Sequence, residues 1–271
     1  MKKQLFGILS NLFPSIMANL AYKALTSPQI KKLRVHELEV LDQSIRETLA
    51  FKDFQIQVYH WKAGADTVLL IHGWEGQAGN FSDLIVRLLE QNISVIAFDG
   101  PSHGFSSKGR TSLFEFTELV GVMVRKYQVR KLVSHSFGGV ATTYALSQNT
   151  DLEIDRYALL TTPDRFVDRI EMVARQVGIT RKVQDRLVRR LEEEIDVDPA
   201  SLNVSNFVQK LKVQKALIIH DRADRVIPIA QSRNVHRNWP VCTFQEIEGT
   251  GHFRILRTPA VIEKVVTFLQ Q

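Results

Sequence analysis

Apolar residues recur along this chain in two rhythms. Thr67-Val68-Leu69-Leu70-Ile71, Ile93–Phe98, Leu132-Val133, Tyr157–Thr161 and Ala216–His220 are short unbroken apolar stretches, each closed by a polar or glycine-bearing turn. Such stretches predict strands covered on both faces, as in a parallel sheet. Phe54–Trp61 and Thr243–Ile247 alternate apolar with polar and predict half-exposed strands; in the first, Phe54, Ile56 and Val58 oppose Gln55, Gln57 and Tyr59. Between them lie segments of helical period: Asn80–Gln91, Leu113–Tyr127, Val140–Leu146 and Pro259–Leu269. Gln29–Thr48 also reads as a helix, with Leu33, Leu38, Leu41 and Ile45 as its inward face.

Strand, loop and helix thus alternate with short connections. The pattern predicts an α/β fold: a mostly parallel sheet with helices on both faces. Sites in such sheets form at the carboxyl ends of strands, where His72, Asp99 and Ser136 all fall.

Residues 164–212 exceed what one crossover helix needs. Phe166, Ile170, Val173 and Val177 form one helical stripe and Val183, Leu187, Leu191 and Ile195 a second, with Gly178 between them. A small helical cap inserted before the penultimate strand is expected here, placed to act as a lid. Its many arginines are balanced by acids, as on an ordinary solvated face. The expected organisation is a helical arm over 1–50 and one body over 51–271.

The arm sets Leu5, Ile8, Leu9, Leu12, Ile16, Met17 and Leu20 at helical spacing, interrupted by Pro14. Asn11, Pro14 and Asn19 break the apolar run, and no small-x-small cleavage site follows, which argues against a secretory signal. The run is also too short to span a bilayer. An amphipathic helix remains, packed on its own protein or, as the second reading, resting on a membrane surface through residues 1–25. A cytoplasmic protein, with or without that surface contact, is expected.

Composition is that of a globular chain: 271 residues, 44% hydrophobic and 24% charged. Charge alters the picture only at one end. Lys2, Lys3, Lys23, Lys31, Lys32 and Arg34 lie in the first 35 residues without a single acid, and the rest balances 29 basic against 29 acidic residues. A basic groove for nucleic acid is therefore not implied. The single cysteine, Cys242, excludes an intramolecular disulfide and reads as core. No Cys/His spacing suggests a metal.

Chemistry concentrates in the turn Ser134-His135-Ser136-Phe137-Gly138-Gly139. A serine at a strand-to-helix corner is raised clear of the sheet, and the corner is sharp enough only if the residues two before and two after are small. Ser134 and Gly138 satisfy this around Ser136; Leu132 would clash around Ser134. If a serine here is a nucleophile, it is Ser136. The other reading is an ordinary βα turn.

Four further motifs sit at strand ends: His72-Gly73-Trp74, Asp99-Gly100-Pro101-Ser102-His103-Gly104-Phe105-Ser106, His220–Pro228, and Gly249-Thr250-Gly251-His252-Phe253. With the serine turn, in this order, they make the chain from about Phe54 to Gln271 resemble the α/β-hydrolase superfamily, in its esterase/lipase-like branch with a helical cap. The resemblance implies a triad of Ser136, Asp224 and His252, with Asp221 as the competing acid. It implies an oxyanion hole of the backbone N–H groups of Trp74 and Phe137. Ser134 and Ser102 stand where relatives carry glycine. A serine nucleophile argues against the haloalkane dehalogenase and epoxide hydrolase branches.

The implied activity is that of a carboxylesterase-like serine hydrolase (EC 3.1.1) acting on a small-molecule acyl substrate without a cofactor. Thioester, amide or C–C bond hydrolysis, acyl transfer, and a non-catalytic binding protein on the same scaffold are the alternatives.

Overall fold

The computed structural model describes residues 2–29, 32–195 and 198–271. Eight strands form one sheet: β1 Ile45–Phe51, β2 Phe54–Trp61, β3 Thr67–Ile71, β4 Ser94–Phe98, β5 Lys131–His135, β6 Glu153–Leu160, β7 Lys212–Asp221 and β8 Cys242–Ile247. Their order across the sheet is β1-β2-β4-β3-β5-β6-β7-β8. The first two pairings are antiparallel and the other five parallel. The expected mostly parallel α/β sheet is therefore the observed one.

The apolar runs account for its middle. Val68–Ile71, Val95, Ala97, Phe98, Leu132, Val133 and Leu159 are all fully buried, because helices cover both faces. One face packs on a cluster that includes Leu84, Ile85, Val261, Val265 and Leu269 from the helices Ser82–Glu90 and Pro259–Gln270, with Phe81 just before the first of them. Helix Leu113–Tyr127 begins where predicted. Ser112 and Glu115 exchange reciprocal hydrogen bonds at its start, satisfying amides that the first turn leaves without partners. Cys242 is buried, and burial pushes its thiol up to about 12.

Two elements differ from expectation. The helix predicted over Gln29–Thr48 covers only Val35–Asp42, and Ile45–Phe51 is instead the edge strand β1. Its polar residues mimic a helix surface, but pairing with β2 satisfies every backbone group on one side, and an edge strand tolerates exposed charge. Tyr59, placed on the polar side of β2, is buried because Val40, Leu41 and Phe81 belong to the cluster that packs on that face, and its hydroxyl donates to Asp99 Oδ2 at 3.0 Å.

The chain divides into two units: Met1–Ser27 with Arg165–Asn203, and Pro28–Asp164 with Val204–Gln271. The second holds the sheet. The segment 165–203 leaves and rejoins it between adjacent points, since Val204 N–H donates to Asp164 O at 2.9 Å and Ser205 N–H to Asp164 Oδ1 at 2.8 Å. The first unit is helical: Lys2–Leu12, Pro14–Thr26, Phe166–Val177 and Arg181–Ile195. Gly178 ends the third of these at φ +82°, a left-handed conformation suited to glycine. Within this unit Met17 and Ala18 pack on Val183, with Phe6, Leu9 and Ile179 around them. The arm thus lies on the helix Arg181–Ile195 through one of its faces. Lys31, and the side chains of Lys2, Lys3, Leu5, Ile8, Val173, Val177, Leu191 and Ile195, fall outside the described residues.

Candidate active site

β5 ends at His135 and the helix Phe137–Gln148 begins two residues later, leaving Ser136 alone at the corner. Its φ of +53° and ψ of −123° are a strained conformation for a residue with a Cβ. The Ser136 N–H donates to Leu160 O at 3.0 Å, and Gly139 N–H to Ser136 O at 2.8 Å. The smallness of the flanking residues is mandatory on one side. A Cβ on Gly138 would lie 2.4 Å from His72 O and 2.6 Å from Ile71 O. Ser134, two residues before, is fully buried with its hydroxyl 2.8 Å from that of Tyr157. The non-glycine therefore gives the hydroxyl of a buried phenol a close partner.

His252 arrives from the turn after β8, and Asp224 from the loop after β7. His252 Nε2 lies 3.1 Å from Ser136 Oγ, and His252 Nδ1 lies 2.8 Å from Asp224 Oδ2. A carboxylate can only accept, so Nδ1 carries the hydrogen and Nε2 offers its lone pair to the serine. The Asp224 side chain is buried; its Oδ1 accepts from Val226 N–H at 2.7 Å and Ile227 N–H at 2.9 Å. Burial pushes its carboxyl up, but hydrogen bonds from His220 and His252 outweigh that and hold it well below the usual carboxylate range.

Asp221 sits elsewhere. It is fully buried, and its Oδ2 accepts from the Thr250 amide, from Thr250 Oγ1 at 2.9 Å and from Gly251 N–H at 2.7 Å. Its Oδ1 accepts from Ala223 N–H at 2.7 Å. Asp224 thus meets the imidazole, while Asp221 meets the loop that carries it.

Around the serine, a Cβ on Gly73 would come 3.1 Å from His135 O and 3.2 Å from Ser136 Cβ, so the loop after β3 runs against the corner. The Trp74 ring packs on Phe137 at 5.2 Å and on His103 at 5.0 Å between centroids. Phe137 is the first residue of its helix, where an N–H has no intrahelical acceptor and the helix dipole favours negative charge. Ser102 is at φ +64°, which explains why glycine suits that turn, and its hydroxyl donates to Gly109 O at 2.7 Å.

Sequence reasoning placed Asp99 at a strand end without giving it a role, and named His135 only as part of the serine turn. His135 is buried beside the serine, with Nε2 2.9 Å from His252 O; burial and the neighbouring His252 push it down to about 3, so it stays neutral and donates there. Asp99 is buried and accepts from Ala78 N–H at 2.8 Å, Phe105 N–H at 2.7 Å and the Tyr59 hydroxyl, tying two strand-end loops together. The only signal for either was its place at a strand end.

Comparison with known proteins agrees with this architecture. The model of the alpha/beta hydrolase family matches residues 68–265, more than half of the chain. An uncharacterized hydrolase of Bacillus subtilis is 22% identical over 264 residues, covering 78% of this chain and 93% of its own length. A probable serine hydrolase of Drosophila melanogaster is 35% identical over 94 residues, covering 32% of this chain and 28% of its own. Among solved structures, an esterase from Exiguobacterium antarcticum superposes with a TM-score of 0.67 over 84% of this chain and all of its own. Its 16% identity speaks for the fold alone.

Proposed function

The chain belongs to the alpha/beta hydrolase family, and from that premise we propose that it is a serine hydrolase cleaving an ester or related acyl bond through an acyl-enzyme on Ser136. One observation carries the reading. A serine hydroxyl on a strained corner, an imidazole at 3.1 Å and a buried carboxylate at 2.8 Å from the far ring nitrogen form one line. A serine hydroxyl alone is too weak an acid to attack a carbonyl at neutral pH, and this line supplies the base and fixes its tautomer.

In the proposed reaction His252 Nε2 takes the Ser136 proton as Oγ attacks the carbonyl carbon. The negative charge on the carbonyl oxygen is met by the backbone N–H groups of Phe137 and Trp74. The imidazolium, held by Asp224, returns its proton to the leaving alcohol as the tetrahedral adduct collapses to the acyl-enzyme. Water then enters: His252 takes its proton, hydroxide adds to the acyl carbon, and Ser136 leaves with the proton restored. His135 assists by holding the His252 carbonyl and thus the backbone position of the base.

The test is labelling by a fluorophosphonate, followed by p-nitrophenyl esters of increasing acyl length with a thioester control. Wild type is expected to label and Ser136→Ala to lose the label and the esterase activity. Absence of labelling in wild type overturns the proposal.

A further inference from the structure

The arm has a second face that its own unit does not use. Met17 and Ala18 turn inward onto Val183, and on the same side Arg186 donates to Ser15 Oγ and Arg190 Nη1 to Asn19 Oδ1 at 2.7 Å. Arg190 also lies over the Tyr22 ring, 3.8 Å from its centroid. Outward stand Leu12 at 64% exposure, Phe13 at 52%, Ile16 at 58% and Leu20 at 53%. Ile16 and Leu20, four apart, share one face of the second arm helix, and Leu12 and Phe13 stand exposed at the junction just before it. Ten large apolar side chains are exposed among the described residues, and four of them fall within these nine positions. Exposed apolar residues scattered singly are ordinary; four within nine positions are not.

Charge selects the occupant. Residues 1–27 carry Lys2, Lys3 and Lys23 and no acid. An exposed apolar face on an acid-free, lysine-bearing segment matches the boundary between acyl chains and anionic headgroups. A second copy of this chain meets the pattern badly, since a symmetric contact through this face brings two acid-free basic arms together. We propose that the face formed by Leu12, Phe13, Ile16 and Leu20 docks the protein peripherally on an anionic lipid surface, its apolar side chains entering the interface and the acid-free basic arm complementing the charge of the headgroups. The arm is fastened to the helix Arg181–Ile195 by its opposite face, so docking leaves that packing intact.

Sedimentation of the full chain with vesicles of phosphatidylcholine, alone or with phosphatidylglycerol, tests this. Wild type should bind the anionic vesicles at least about tenfold more tightly than the neutral ones, and lose most of that preference in high salt. Ile16→Gln/Leu20→Gln removes two exposed side chains and should weaken binding by about tenfold or more, with the melting temperature unchanged. Lys23→Ala should weaken it by about fivefold. Val241→Gln, a change to an exposed apolar residue outside the arm, should bind as wild type. Failure of wild type to bind anionic vesicles at low salt overturns the proposal, as does undiminished binding by the double variant. A concentration-dependent dimer that the double variant dissociates would assign the face to a second copy and overturn it too. Binding is read without turnover and on Ser136→Ala as well, so its outcome is independent of the proposed chemistry.

Discussion

Asp221 holds Thr250 twice, through the backbone amide and, at 2.9 Å, through the hydroxyl, two residues before the histidine that faces Ser136. Three positions along from Asp221, Asp224 takes the ring of that same histidine at 2.8 Å. Two acids, one closing β7 and one in the loop after it, therefore act on the histidine in different ways: one grips the backbone just before it, the other its imidazole.

That division predicts different costs for the same substitution. Asp224→Asn should lower kcat by about four orders of magnitude, because an amide no longer enforces the Nδ1–H tautomer. Asp221→Asn puts an NH₂ group among donors or strands one of them, and should cost about 2 kcal/mol of stability. Its effect on kcat should be only about tenfold, with KM little changed. Steady-state kinetics beside urea melts separate the two; equal losses of kcat would refute the division.

The pH dependence of stability follows from the same pair. Hydrogen bonds to Asp221 from Gly251, Ala223 and Thr250 outweigh its burial and hold its carboxyl below the usual range, as His220 and His252 do for Asp224. A depressed folded value contributes stability that is complete above the unfolded value of about 3.9 and disappears as pH falls through the folded one. The stability gap between wild type and Asp221→Asn should accordingly be constant from pH 5 to 8 and shrink below about pH 4. Denaturant melts across pH measure it.

Gly138→Ala should fail at the corner itself. The added carbon meets two backbone oxygens, 2.4 and 2.6 Å away, which cannot rotate aside. A destabilisation of about 3 kcal/mol and loss of fluorophosphonate labelling are expected.

Ser134→Gly, by contrast, installs the residue more usual at that position and should still be harmful to stability. It removes the 2.8 Å partner of the buried Tyr157 hydroxyl and leaves it a longer contact of 3.4 Å to Gly139 O. We expect a loss of about 1–2 kcal/mol, with kcat within about twofold of wild type. Restoration of stability by adding Tyr157→Phe would tie the loss to that hydrogen bond.

Much of this protein was legible in its sequence. Unbroken apolar strands, glycine-bearing turns and helical stripes are local patterns, and each acts within a few residues of itself; hence helix Leu113–Tyr127 and the sheet's parallel centre could be read directly. The corner at Ser136 was legible for the same reason, since its sterics involve neighbours two positions away. Ile45–Phe51 was not, because its polar face is that of an edge strand and becomes a strand only beside β2.

What the chain alone determined, then, is which residues stand at strand ends with a hydroxyl, an imidazole and two carboxylates. Tertiary structure alone decided how they pair. His252 reaches Asp224 across 28 positions and Ser136 across 116, while Tyr59 turns inward to Asp99 across 40. It also decided which face of the arm is spent on Val183 and which is left outward. Helical period marks an apolar residue without saying what covers it, and two aspartates three positions apart carry identical groups. Only the arrangement of the strands brings one to an imidazole and the other to a backbone amide.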